Sequence, residues 1–214
     1  YFFHLKQWRW ASLVFLFQIS TKENMPLWMA FICIGLCLLY WKDKSQRLTG
    51  MLFALASFLY FLLIVQFVMP ALANHGETYV QLRSNYSALG SGMGDVVTTI
   101  FTNPVHVFKL LFVNHTGNPS GDDNKMETYL FFLLSGGLLL FLRPQFLIML
   151  IPIIAQKMFH NDYLKWGIGF HYSVEFAPVC SLGVFFVIAQ LKDERWKKYL
   201  APLMTVLSLT MTIR

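Results

Sequence analysis

Read from Tyr1 onward, the chain alternates between long apolar runs and short polar breaks, and the runs set the expected elements. The first, Trp10 to Ile19, is expected to extend back through Tyr1, with Lys6 and Arg9 snorkelling. It stops at Ser20-Thr21-Lys22-Glu23-Asn24. Pro26 then sits in the first turn of the second run, where its missing N–H costs no hydrogen bond. That run, about Met25 to Trp41, closes on Lys42, Lys44 and Arg47. The third, Leu48 to Met69, is 22 residues without a charge, enough to cross a bilayer with some tilt. After a long polar segment come a fourth run, Tyr129 to Leu142, and a fifth, Gln145 to Phe159, in which Pro152 predicts a kink. A sixth run spans His171 to Leu191, and a seventh begins near Tyr199. The pattern predicts an all-α, polytopic transmembrane helix bundle of about seven spans, the last cut short, forming one domain over residues 1–214.

The exception to short connections is the extracytoplasmic segment 71–128. Within it Val97, Ile100, Phe101, Val105, Phe108 and Leu111 or Phe112 form an apolar stripe interrupted by Asn103-Pro104. These spacings predict two short amphipathic helices joined at the proline, lying on the membrane surface or packed on the spans to support a lid. Gly90, Gly92 and Gly94 follow no strand, so they form no dinucleotide fingerprint and instead introduce the stripe.

Composition places the chain firmly in a membrane. Residues are 56% hydrophobic and only 13% charged, against about 25% charged in soluble domains. The net charge of +6 does not signal nucleic acid, because the cations cluster beside apolar runs in the positive-inside pattern. With the N-terminus inside, ten of the 17 cations occupy short inner connections: Lys6, Arg9, Lys42, Lys44, Arg47, Arg143, Lys192, Arg195, Lys197 and Lys198. The outer side holds Lys22, Arg83, Lys109, Lys125, Lys157 and Lys165, spread over far more chain. The expected location is a prokaryotic inner (cytoplasmic) membrane. Cys33, Cys37 and Cys180 lie in apolar runs and read as small buried hydrophobes. The start at Tyr1 and the stop within an apolar run suggest a fragment of a longer chain, its N-terminal half missing.

Three polar places meet on the outer face. Lys22-Glu23 stands at the mouth of a span. Arg83 and Tyr86 lie in the long segment. His171-Tyr172 opens the sixth run, with Glu175 one turn further into it, where an ionisable residue is costly and tends to be functional. His171 and Glu175 share a helix face, but H-x-x-x-E lacks the further histidine of zinc helices. The sequence therefore supports no metal site, and a divalent cofactor stays without support.

The order of these features resembles a known family. A lysine–glutamate pair opens a span, a basic hairpin follows, and a long span ends in Pro70-Ala71. Then come Tyr86-x-x-Leu89-Gly90, Asn103-Pro104 in an amphipathic stretch, and His171-Tyr172 with Pro178 beyond. The chain is similar to the C-terminal half of a prokaryotic family of predicted multi-pass membrane proteins of unknown function, grouped with the GT-C superfamily of membrane glycosyltransferases. The resemblance implies transfer of a sugar from a polyprenyl-phosphate donor on the outer face. It maps no catalytic base here, because that residue belongs to the first outer loop of such enzymes. What it maps here is Lys22-Glu23, Tyr86 and His171-Tyr172, and with Arg83 and Glu175 from the outer-face chemistry these are the expected substrate-binding residues. The alternative from another class is a non-catalytic membrane assembly or transport subunit. The absence of an internal repeat disfavours a transporter.

The charge bias makes a topological prediction. In a cysteine-free background, a membrane-impermeant thiol reagent added to intact cells should label a cysteine at Ser120 and spare one at Ser45. The reverse pattern would invert the assignment.

Overall fold

The computed structural model describes residues 1–72, 85–169 and 176–212. Every regular element among them is helical. Helix α1 is Trp8–Ile19, α2 is Met25–Leu39, and α3 runs Lys44–Leu72 with a π turn at Ile64–Val68. Helices α4 and α5 are Met93–Thr102 and Pro104–Leu110. Helix α6 begins at Asn124–Phe132 and continues through a π turn, Leu133–Gly137, to Leu138–Leu140. Helices α7, α8 and α9 are Pro144–Met158, Ala177–Ala189 and Glu194–Thr212.

The all-helical expectation holds among the described residues, but the run of about seven membrane-length spans does not appear there. Among the described residues, only Lys44–Leu72 is both long and apolar enough to cross a membrane. Met25–Leu39, Pro144–Met158 and Ala177–Ala189 are apolar but shorter. At 1.5 Å per residue, a 15-residue helix reaches only about 22 Å. Tyr40 and Trp41 lie beyond the end of α2. The chain also divides into two compact units, Tyr1–Tyr79 with Gln145–Pro152, and Val80–Pro144 with Ile153–Arg214.

In the first unit the packing follows from small residues. A Cβ on Gly50 would lie 2.6 Å from Cys37 Sγ, so α2 and α3 approach where a side chain is missing. Cys33 and Cys37 are buried there as small apolar groups. Phe15 of α1 stacks on Phe53 of α3 with centroids 4.4 Å apart, beside Ile19 and Ala54. Asp43 caps α3 by accepting from the Gln46 amide at 3.0 Å.

One expectation is corrected here. Helix α1 does not extend back through Tyr1. Lys6 adopts φ 57° and ends a set of turns over residues 2–6. That segment finds polar partners at the α2–α3 turn. Gln46 Nε2 donates to the carbonyls of Phe3 and His4, at 3.2 and 3.3 Å, and Lys6 pairs with Asp43 at 2.5 Å. Fixed partners for His4 and Lys6 outweigh further helix, because a continued helix would leave both to snorkel.

In the second unit the predicted break at Asn103-Pro104 is present. Asn103 ends α4, and its side chain accepts from the His106 amide to start α5. Gly90, at φ 144°, packs against Asp95 of α4, and Asp95 accepts from both the amide and the hydroxyl of Ser91. Further on, Gly136 takes φ 104° inside the π turn of α6, where a Cβ would lie 2.8 Å from Val184 of α8.

The close approach at Gly35, where a Cβ would meet the Gln145 carbonyl at 2.8 Å and the Met149 side chain at 2.4 Å, predicts a sharp stability effect. Gly35→Leu should cost about 1–3 kcal/mol through overpacking, or roughly 2–4 °C of Tm per kcal/mol. Gly94→Ala, inside α4 where nothing lies within 4 Å, should leave thermal unfolding in detergent unchanged or slightly raised.

Candidate functional site

The second unit encloses a cluster of cations, imidazoles and aromatic rings around Trp166, which has no exposed surface. The 3-10 turn Tyr163–Lys165 delivers the indole, started by Asp162, whose side chain accepts from the Leu164 amide. Gly121 makes room for this turn, since a Cβ there would lie 2.8 Å from Tyr163 and 3.1 Å from Trp166. Asn124 holds the same turn by donating to the Tyr163 carbonyl at 3.1 Å.

Every polar atom of Trp166 has a use. Its Nε1 donates to the His160 carbonyl at 2.7 Å, its amide donates to the Tyr163 carbonyl, and its own carbonyl accepts from the Thr128 hydroxyl. On its face sits the ammonium of Lys125, 4.2 Å from the ring centroid. Lys125 is 1% exposed. Its Nζ donates to the carbonyls of Leu110 and Val113, at 2.5 and 2.9 Å, and lies 3.1 Å from His115 Nδ1. Its partners are thus two carbonyls, an imidazole and an indole face, with no carboxylate among them. Burial pushes the Lys125 ammonium down to about 7. Burial first, then the Lys125 charge, also lowers the His115 imidazole. The pair keeps His115 neutral, as an acceptor must be.

A second lysine–histidine contact adjoins the indole through the His160 carbonyl. Lys165 Nζ is 2.9 Å from His160 Nε2, and His160 Nδ1 accepts from the Asp162 amide at 2.9 Å. Burial, followed by Lys165, pushes His160 down to about 4. Lys157, in the last turn of α7, donates to the Gly167 carbonyl at 2.8 Å and stands 5.9 Å from the Phe176 ring. Chemically, this arrangement sets an ammonium against each of two histidines that stay unprotonated. Such a site favours an anion, and its histidines stay neutral and act in hydrogen bonding. Among the described residues no group of three or more metal-ligating side chains occurs.

Of the residues expected from sequence, Tyr86 joins this cluster. Its ring stands edge-on to His160 at 5.3 Å, and its hydroxyl donates to the Gln156 carbonyl at 3.3 Å. Asn85 and Ser87 flank it and hold Asn161. Lys22 and Glu23 belong to the first unit, where the Lys22 ammonium lies 6.0 Å from the Trp28 ring. Arg83, His171, Tyr172 and Glu175 lie outside the described residues. Sequence reasoning counted Lys125, Lys157 and Lys165 only as outer-side charges, and passed over His115, His160 and Trp166. A usable signal was there: cations retained on the side where the charge bias disfavours them need local partners.

The depressed His160 predicts an acid-sensitive fold. Between 6.5 and about 4 the unfolded chain binds a proton that the folded chain refuses. Stability should therefore fall as pH drops through that window, by up to about 1.4 kcal/mol per pH unit for this group. Thermal unfolding from pH 7 to 4.5 should show the loss, and His160→Gln should flatten it.

Beside the cluster runs an apolar slot of about 400 Å³, lined by Thr128, Phe132 and Ser135 of α6, Cys180 and Val184 of α8, and Met204 of α9. Its α8 wall extends from Ala177 to Ile188, roughly 16 Å at the helical rise. Thr128 and Phe176 belong to both slot and cluster. No curated protein and no solved structure matches the sequence. The family model described as "Predicted membrane protein (DUF2079)" matches residues 1–214, and with the whole chain covered, the protein belongs to that predicted membrane protein family of unknown function.

Proposed function

We propose that this chain is the carrier-binding part of a multi-pass membrane glycosyltransferase of the GT-C kind, which draws its sugar from a polyprenyl phosphate on the outer face of a prokaryotic inner membrane. The observation that carries the reading is the slot joined to the cluster. An apolar slot roughly 16 Å long suits a hydrocarbon chain. Lys157, near Phe176 at one end of it, and Lys165, in the adjoining cluster against His160, suit an anionic head. A molecule with both parts is a lipid-linked phosphate.

The chemistry follows from that placement. Departure of a sugar leaves charge on the carrier phosphate, and charge-assisted bonds from lysine contribute roughly 1.5–3 kcal/mol each. Lys165, half-buried, is the reachable donor, whereas Lys125 is sealed. Tyr86 supplies a ring against which a sugar can stack. Arg83, His171 and Tyr172 enter the proposal as further head-group ligands, and Glu175 as an acceptor for sugar hydroxyls. The catalytic base lies elsewhere in the protein.

Cys180 provides the test, because it lines the slot while Cys33 and Cys37 are buried outside it. In the full-length protein with Cys33 and Cys37 replaced by alanine, a polyprenyl phosphate should slow maleimide modification of Cys180 several-fold. Lys165→Gln should reduce that protection, and phosphate-free polyprenol should protect less. Equal protection by polyprenol and polyprenyl phosphate would refute the head-group site. Protection without transfer of a labelled sugar by the full-length protein would leave a carrier-binding subunit and exclude the enzyme.

A further inference from the structure

We infer that the outward ridge of α4 and α5 is a membrane-docking surface, seated in the boundary between head groups and acyl chains of the adjacent leaflet. This goes beyond the carrier-binding reading and does not depend on it. The two helices carry 10 and 7 residues, about 15 and 10 Å long, so neither can cross a bilayer. Both are nevertheless apolar on two sides. Inward, Val96, Val107 and Leu110 pack with Leu89 and Phe159. Outward, Val97, Ile100, Phe101, Val105 and Phe108 are exposed, Phe101 to 79%.

The occupant of that outward face is identified by what it continues into. Phe108 and Phe112 have ring centroids 5.2 Å apart, and Phe112 lies 5.2 Å from Tyr129 of α6. The Tyr129 hydroxyl donates to the Leu111 carbonyl at 3.1 Å, fixing the junction. Beyond it α6 exposes Leu130 and Leu138. One apolar surface thus passes from the ridge onto a helix of the apolar bundle. A docked protein would end at a polar rim; lipid continues from one surface to the other.

Two polar side chains of the ridge are engaged within it. The Thr102 hydroxyl donates to the Thr98 carbonyl at 2.8 Å, and the Asn103 side chain is used as the α5 cap. Lys109, exposed at the end of α5, is placed to reach head-group phosphates while its stem stays among apolar side chains. An amphipathic segment of this kind seats its apolar face about 5–10 Å into the interface.

The test is a depth measurement on the full-length protein in vesicles of phosphatidylethanolamine and phosphatidylglycerol. Nitroxide labels are placed at Phe101→Cys and Phe108→Cys, with Cys33, Cys37 and Cys180 replaced by alanine; both sites are exposed, so labelling leaves the core intact. Power saturation should show oxygen collisions exceeding those of a water-soluble nickel chelate at both sites, with a shallow depth, while Ser120→Cys should favour the chelate. Chelate-dominated collisions at Phe101 and Phe108 would place the ridge in water and overturn the inference. Exclusion of both reagents would show a protein contact there and overturn it equally.

Discussion

An ammonium group removed from water must be surrounded by acceptors, and the second unit is built around meeting that demand for Lys125. The carbonyls of Leu110 and Val113 at the end of α5, the His115 ring and the Trp166 face all converge on one nitrogen. A buried charge left unpaired costs several kcal/mol. The chain from α5 to the Tyr163–Lys165 turn is therefore held in the arrangement that avoids this cost. Trp166 then passes the constraint onward, through Thr128 into α6 and through His160 toward Tyr86. Loops that composition alone would leave mobile become parts of one scaffold.

That scaffold explains why a slot and a charged cluster coexist. Helix α6 is anchored at its start by Thr128 and bends at Gly136, against Val184 of α8. The fixed start and the left-handed glycine hold the wall of the slot in place, so the lining from Thr128 to Ser135 is set by backbone geometry. Small residues at such a bend permit close approach of helices without filling the space between them.

Much of the fold was legible from the order of residues. The apolar runs and their punctuation located α2, α3, α7, α8 and α9, and the Asn103-Pro104 pair located the break between α4 and α5, because caps and prolines act locally. The lengths were less legible. Tyr40 and Trp41 continue the apolar run beyond α2, while the polar start of α3 at Lys44 was not part of its apolar run. The turns at the N-terminus were missed because their cause is Gln46, some 40 residues away. The cluster was missed for the same reason. Lys125, His115, His160 and Trp166 carry no mutual spacing that a periodicity can register, and only tertiary folding joins them. Tyr86 was singled out through a motif and not through the His160 ring it stands against.

Helices α2 and α3 lie against each other with very different lengths, 15 and 29 residues. That is about 22 Å beside about 43 Å, so α2 shields only part of its neighbour. The rest of α3, with Leu52, Leu55, Leu59 and Leu63 exposed along it, is an apolar surface that needs an apolar surrounding of its own.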